Sequence, residues 1–158
     1  RPELGLSFNG RVAEDFKLTS GTWVSIGTLL RVAGIAALAQ DIVVTGHGGD
    51  HVQFLVFPNV AACRAVAGLP ENVALDEVLG SAAVRAGIAE GLARLKARSS
   101  GSSGHATRAL LVSEPPSVDH GEITDKGYIN QRAVLARRSA DVAVLEDDAS
   151  TRWIACAT

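Results

Sequence analysis

The residues best suited to chemistry fall toward the two ends of the chain. Arg11 follows the turn pair Asn9-Gly10. A guanidinium can fork onto phosphate oxygens in a way that a lysine ammonium cannot, although a salt bridge would use the same residue. Ser20-Gly21-Thr22-Trp23 contains a glycine that lets backbone approach a ligand closely and offers it an N–H; a plain hairpin turn needs the same residues. Trp23 suits a domain interface or the core equally well. Toward the other end, Asp125-Lys126-Gly127-Tyr128 sets a cation in a polar loop, where it is either a solvated side chain or a counter-charge for a developing anion. His47 and His51 bracket Gly48-Gly49-Asp50, but with no third ligand nearby a hairpin turn with two solvated imidazoles is the simpler reading, and no metal site is expected. Cys63 and Cys156 match neither a metal-ligand spacing nor a disulfide framework and read as free thiols.

These residues need a scaffold, and 158 residues at 47% hydrophobic and 20% charged content supply one compact domain. The net charge of −2 gives no electrostatic case for nucleic acid or for an anionic membrane. The longest apolar stretch, Leu29 to Ala39, is about half of a membrane span and contains Arg31. No signal peptide is visible and the chain opens on Arg1-Pro2-Glu3 without an initiating Met, so a cytoplasmic fragment or processed product is expected.

The pattern predicts strands in the first quarter, with Asp15-Phe16-Lys17-Leu18 and Trp23-Val24-Ser25-Ile26 flanking Thr19-Ser20-Gly21-Thr22 as a hairpin. Helical spacing follows from Gly27 to about Leu38. Ile42 to Gly46 and Val52 to Phe57 are β-branched and aromatic, and read as a buried antiparallel pair ended by Pro58. Asn59 caps a short helix to about Ala67, which Gly68 and Pro70 end. A longer helix runs from about Ser81 to Ala97, with Val84, Ile88, Leu92 and Leu95 inward and Arg85, Lys96 and Arg98 toward water. Ser99 to Gly104 is a flexible loop by composition. Arg108 to Ser113 makes another strand, Gly121 to Asn130 a polar loop, and Gln131 to Arg138 a helix whose Arg132, Arg137 and Arg138 form a solvated basic face. The fold class is α+β, a small mixed or antiparallel sheet with a β-hairpin and flanking helices. Residues 1–12 read as a linker, 13–145 as the domain, and 146–158 as a frayed tail.

Two segments carry more. Gly10-Arg11-Val12-Ala13-Glu14-Asp15-Phe16-Lys17-Leu18 with the following Ser20-Gly21-Thr22-Trp23 resembles the Gly-Arg…Lys…Gly core motif joining the two domains of adenylate-forming enzymes. Gly121-Glu122-Ile123-Thr124-Asp125-Lys126-Gly127-Tyr128-Ile129-Asn130-Gln131-Arg132 stands where that superfamily has its carboxy-terminal catalytic loop. The wording is most similar to feruloyl-CoA synthetases, extends through Val43-Val44-Thr45-Gly46-His47 and Leu55-Val56-Phe57-Pro58, and covers most of residues 2 to 138.

The resemblance implies the swinging carboxy-terminal domain of an AMP-forming acyl-CoA synthetase, inactive without an amino-terminal domain of the same polypeptide. The substrates implied for the whole enzyme are ATP with Mg2+, CoA and a carboxylic acid, hydroxycinnamates among them, with none bound to this domain alone. It also implies Arg11 at the nucleotide, a hinge at Ala13, Glu14 or Asp15, and a pantetheine-side loop formed by Lys17, Ser20, Gly21, Thr22 and Trp23. The superfamily pattern puts a catalytic lysine where this chain has Tyr128. A neutral phenol cannot replace an ammonium, so Lys126 becomes the expected cation, on the premise that residues two apart in an extended segment share a face. Tyr128 also leaves open a non-catalytic binding module of the same fold.

Overall fold

The computed structural model describes residues 16–20, 23–24, 38–46, 49–98 and 105–157. The Ser/Gly loop at 99–104 lies outside them, as does the helix expected over 27–38 except for Leu38. The framework is a four-stranded mixed sheet in the order β3 (Ala39–Thr45), β4 (Gln53–Pro58), β5 (Arg108–Leu111) and β6 (Ile154–Ala155). β4 runs antiparallel to β3 and parallel to β5, and β6 is antiparallel to β5. A separate hairpin pairs β1 (Phe16–Lys17) with β2 (Trp23–Val24). The α+β expectation holds.

Side chains alternate across a strand, and the sheet uses both faces. Val44, Phe54, Val56 and Ala109 point into one core, with Val84, Ile88, Leu92 and Leu95 of α3 (Ala82–Arg98), Cys63 of α1 (Val60–Ala67), Val78 of α2 (Leu75–Leu79), and Phe16, Leu18 and Val24 of the hairpin. Val43, Leu55, Phe57 and Leu110 point into the other, with Val134 of α4 (Gln131–Arg137) and Leu145 of α5 (Ser139–Glu146). Burial on two faces explains why β4 is a continuous apolar run.

Local signals end the elements as expected. The Asn59 side chain accepts from the Ala62 N–H at 3.1 Å, and Gly68, at φ 67°, returns its own N–H to the carbonyls of Arg64 and Ala65. Gly46 is constrained harder. Its φ is 124°, and a Cβ there would stand 2.3 Å from the His51 carbonyl oxygen. Gly46→Ala should therefore cost about 1–3 kcal/mol of stability, read as a lowered urea midpoint with the slope unchanged.

Three expectations are corrected. The tail expected to fray over 146–158 is ordered as far as it is described, to residue 157. Ile154 is buried, β6 pairs with β5, and Arg85, expected to face water, donates to the carbonyls of Thr151, Arg152 and Trp153. The Arg108 guanidinium adds a stack at 4.0 Å over the Trp153 ring. The third correction is the basic face of α4: Arg137 and Arg138 converge on a buried carboxylate. Among the described residues no helix is long and apolar enough to cross a membrane.

Candidate functional site

The segment from Ser117 to Asn130 is built around Glu122. Its amide donates to the Ser117 carbonyl and its carbonyl accepts from the Asn130 N–H, so both ends of a small hairpin meet at one residue. Above that root, Ile123 and Ile129 form an antiparallel bridge and Thr124 N–H donates to the Tyr128 carbonyl at 2.8 Å. Tyr128 N–H returns a bond to the Thr124 hydroxyl at 3.1 Å. The tip is a β-turn closed by Gly127 N–H to the Thr124 carbonyl at 2.9 Å. Gly127, at φ 87°, supplies the left-handed residue that turns the chain back.

Lys126 therefore sits at the exposed tip of a short hairpin, and the extended geometry expected between positions 126 and 128 is replaced by the turn. Tyr128 is also displayed outward, at 60% exposure.

The root is held by charge. The Glu122 side chain is 0% exposed and accepts from Arg138 Nε at 2.8 Å, Arg138 Nη2 at 3.0 Å, Arg137 Nη1 at 2.9 Å and the Ser117 N–H at 2.9 Å. Burial pushes this carboxyl up, but the Arg138 hydrogen bond, the Ser117 amide and the charges of Arg138 and Arg137 together hold it at about 2. Arg138 also donates to the carbonyls of Glu114 and Pro115, and its guanidinium stacks at 4.8 Å over the Phe57 ring. Arg137 spans to the Glu114 carboxylate at 2.9 Å. At its other end α4 is fixed to the sheet. Gln131 Oε1 accepts from Val44 N–H at 2.9 Å and Nε2 donates to the Ile42 carbonyl at 3.0 Å, so one side-chain amide caps the edge of β3. Asn130 caps the helix through the Ala133 N–H.

Of the pantetheine-side residues, Lys17 and Trp23 are cross-strand partners in the β1–β2 hairpin, and Lys17 and Ser20 are exposed. Arg11, Ala13, Glu14, Asp15, Gly21 and Thr22 lie outside the described residues, as does His47. His51 is exposed beside Asp50. Among the described residues no group of three or more His, Cys, Asp or Glu is placed to hold a metal ion. Glu122 went unselected as a site residue; the signal for it was the only Glu in an otherwise polar loop, 15 and 16 residues ahead of an Arg-Arg pair.

An open cleft of about 580 Å3 lies beyond β5, between α2, the start of α3 and residues 151–154. Its arginines are already engaged, Arg85 and Arg138 with main-chain carbonyls and Arg152 at 3.8 Å from Asp141, so it presents no surface of a single charge.

The fold is similar to that of two solved structures of carboxylic acid reductase from Segniliparus rugosus. One is the A-PCP didomain in complex with AMP, with a TM-score of 0.64 and 20% identity over 85% of this chain and 17% of that one. The other is the A domain in complex with AMP and a co-purified carboxylic acid, with a TM-score of 0.60 and 21% identity over 84% of this chain and 19% of that one. At these identities the likeness is one of fold, and the chain spans less than a fifth of either neighbour. No protein-family model and no curated protein matches the chain.

Proposed function

We propose that this chain is the mobile carboxy-terminal domain of an AMP-forming, carboxylate-activating enzyme, working as an acyl-CoA synthetase similar to feruloyl-CoA synthetases. In the first half-reaction a carboxylate oxygen attacks the α-phosphorus of ATP, pyrophosphate leaves, and an acyl-adenylate remains. In the second, the CoA thiol attacks the acyl carbon and AMP leaves. Lys126 is the cation offered to the α-phosphate in the first step, and the hairpin carrying Lys17, Ser20, Gly21, Thr22 and Trp23 meets pantetheine in the second. Arg11 serves the nucleotide, and Ala13, Glu14 and Asp15 form the pivot between the two orientations. Mg2+ enters with ATP as substrate.

The observation that carries this reading is the exposed lysine at the tip of a hairpin whose root is fixed by a buried ion cluster. A charge intended for a transition state belongs on a support that does not reorganise. The AMP and carboxylic acid held by the neighbour of like fold support the first half-reaction; the CoA acceptor rests on the resemblance of residues 10–24 and 121–132 to the synthetases. The second reading is a binding module of the same fold without chemistry, favoured by Tyr128 at the superfamily's lysine position.

The test uses the full-length polypeptide containing this chain, supplied with hydroxycinnamates and other carboxylic acids. Acid-dependent ATP–pyrophosphate exchange and acid-dependent CoA thioester formation are the expected results. Absence of exchange with every acid would favour the binding module.

A further inference from the structure

Gly49 and Asp50, in the connection between β3 and β4, lie outside the segments that carry the resemblance, yet they hold Thr19 of the loop assigned above to pantetheine. Among the described residues the β1–β2 hairpin forms its own two-stranded sheet, separate from the main one, and an isolated two-stranded hairpin is at best marginally stable. At the base, Phe16, Leu18 and Val24 are buried in the core beside Val44 and Val52. At the tip, Thr19 N–H donates to the Gly49 carbonyl at 2.9 Å. The Thr19 hydroxyl reaches the Asp50 carboxylate, with the Gly49 carbonyl at 3.3 Å as its alternative acceptor. The seat has a hydrogen bond of its own. Gly49 N–H donates to the Gly46 carbonyl at 2.9 Å, and Gly46 holds a conformation that a side chain would disrupt. Lys17 and Ser20, on either side of this clasp, remain exposed.

We propose that Thr19 and Asp50 are positioning residues for the thioester-forming step, fastening the Thr19–Ser20 side of the pantetheine-side loop to Gly49 and Asp50 so that domain rotation delivers that side in a fixed place. Neither residue need touch CoA. The proposal rests on the reading of residues 17–23 as the pantetheine-side loop. An exposed hydrogen bond adds little to global stability, so removing it loosens the loop, which keeps the Thr19 N–H bond to Gly49, and leaves the domain folded. A misplacement of a positioning element by about 1 Å is enough to cost up to about 10²-fold in rate.

The experiment compares Thr19→Val, Asp50→Ala and the double variant in the full-length polypeptide. Each is assayed for ATP–pyrophosphate exchange and, in single turnover, for transfer from preformed acyl-adenylate to CoA. Transfer should fall about tenfold or more in each variant, with exchange within about twofold of wild type, and the double variant should be no worse than the poorer single one. Thr19→Ser and Asp50→Asn, which keep a donor and an acceptor, should recover most of the transfer rate. Unimpaired transfer in both single variants, or exchange and transfer falling together, would overturn the proposal. Wild-type protein that performs exchange but no CoA transfer would overturn the pantetheine-side reading and the clasp with it.

Discussion

Glu122→Ala should destabilise the domain by about 3–5 kcal/mol, the cost of stranding a buried charge. The side chain that remains is Arg138, at 6% exposure. It would keep its bonds to the Glu114 and Pro115 carbonyls but lose the Nε and Nη2 bonds that neutralise it. Relaxation toward solvent is limited because the guanidinium is stacked on Phe57. Ser117 N–H would lose its acceptor as well, loosening the hairpin root. Denaturant melts of wild type and variant at pH 7 measure the difference. The pH dependence gives an independent check. The folded carboxyl stands at about 2 against an ordinary value of 4.5, so its contribution is full above about 4.5 and is lost as pH falls toward 2. Wild-type stability should therefore decline across that window, and Glu122→Gln, which cannot titrate, should decline less. Some slope will remain, because Arg137 holds the Glu114 carboxyl below its ordinary value too. Equal slopes for the two proteins would mean that Glu122 is not the depressed group.

This cluster marks the boundary of what could be read in advance. Elements whose determinants are local were legible: the β-branched and aromatic runs of β3 and β4, the Asn59 cap, the Gly68 terminator and the inward stripe of α3 each lie within a few residues of what they decide. The basic face of α4 misled because its meaning depends on a carboxylate at position 122, brought into reach only when the loop folds back on the helix. The tail misled for a similar reason. Ile154-Ala155 is too short to show a period, and its partner strand and the Arg85 side chain beside it come from distant elements. α5 follows α4 with Arg138 at the junction and no glycine or proline to announce a second helix. At Lys126 the local geometry was not legible. The assumption of an extended segment ignored Gly127, whose left-handed backbone turns the chain between 126 and 128.

That turn shapes the last prediction. Lys126→Ala in the full-length polypeptide should lower the rate of ATP–pyrophosphate exchange by about 10²–10³, the usual cost of removing one electrostatic contact to a transition state. The KM values for ATP and acid should change little, since the charge is needed only as the α-phosphate passes through its pentavalent state. Stability should stay within about 0.5 kcal/mol of wild type, because the side chain is exposed at a loop tip. Lys126→Arg, which keeps the charge, should retain more exchange than the alanine variant. Transfer from preformed acyl-adenylate to CoA should survive, because the proposed function gives that step to the other orientation of the domain and the β1–β2 loop. Tyr128→Phe tests the neighbouring position: loss of exchange there with Lys126→Ala unaffected would transfer the role from the ammonium to the phenol. Undiminished exchange in both variants would remove the hairpin tip from the chemistry. The buried cluster around Glu122 would then serve stability alone, since a rigid root has a catalytic purpose only if the tip it supports carries a reacting charge.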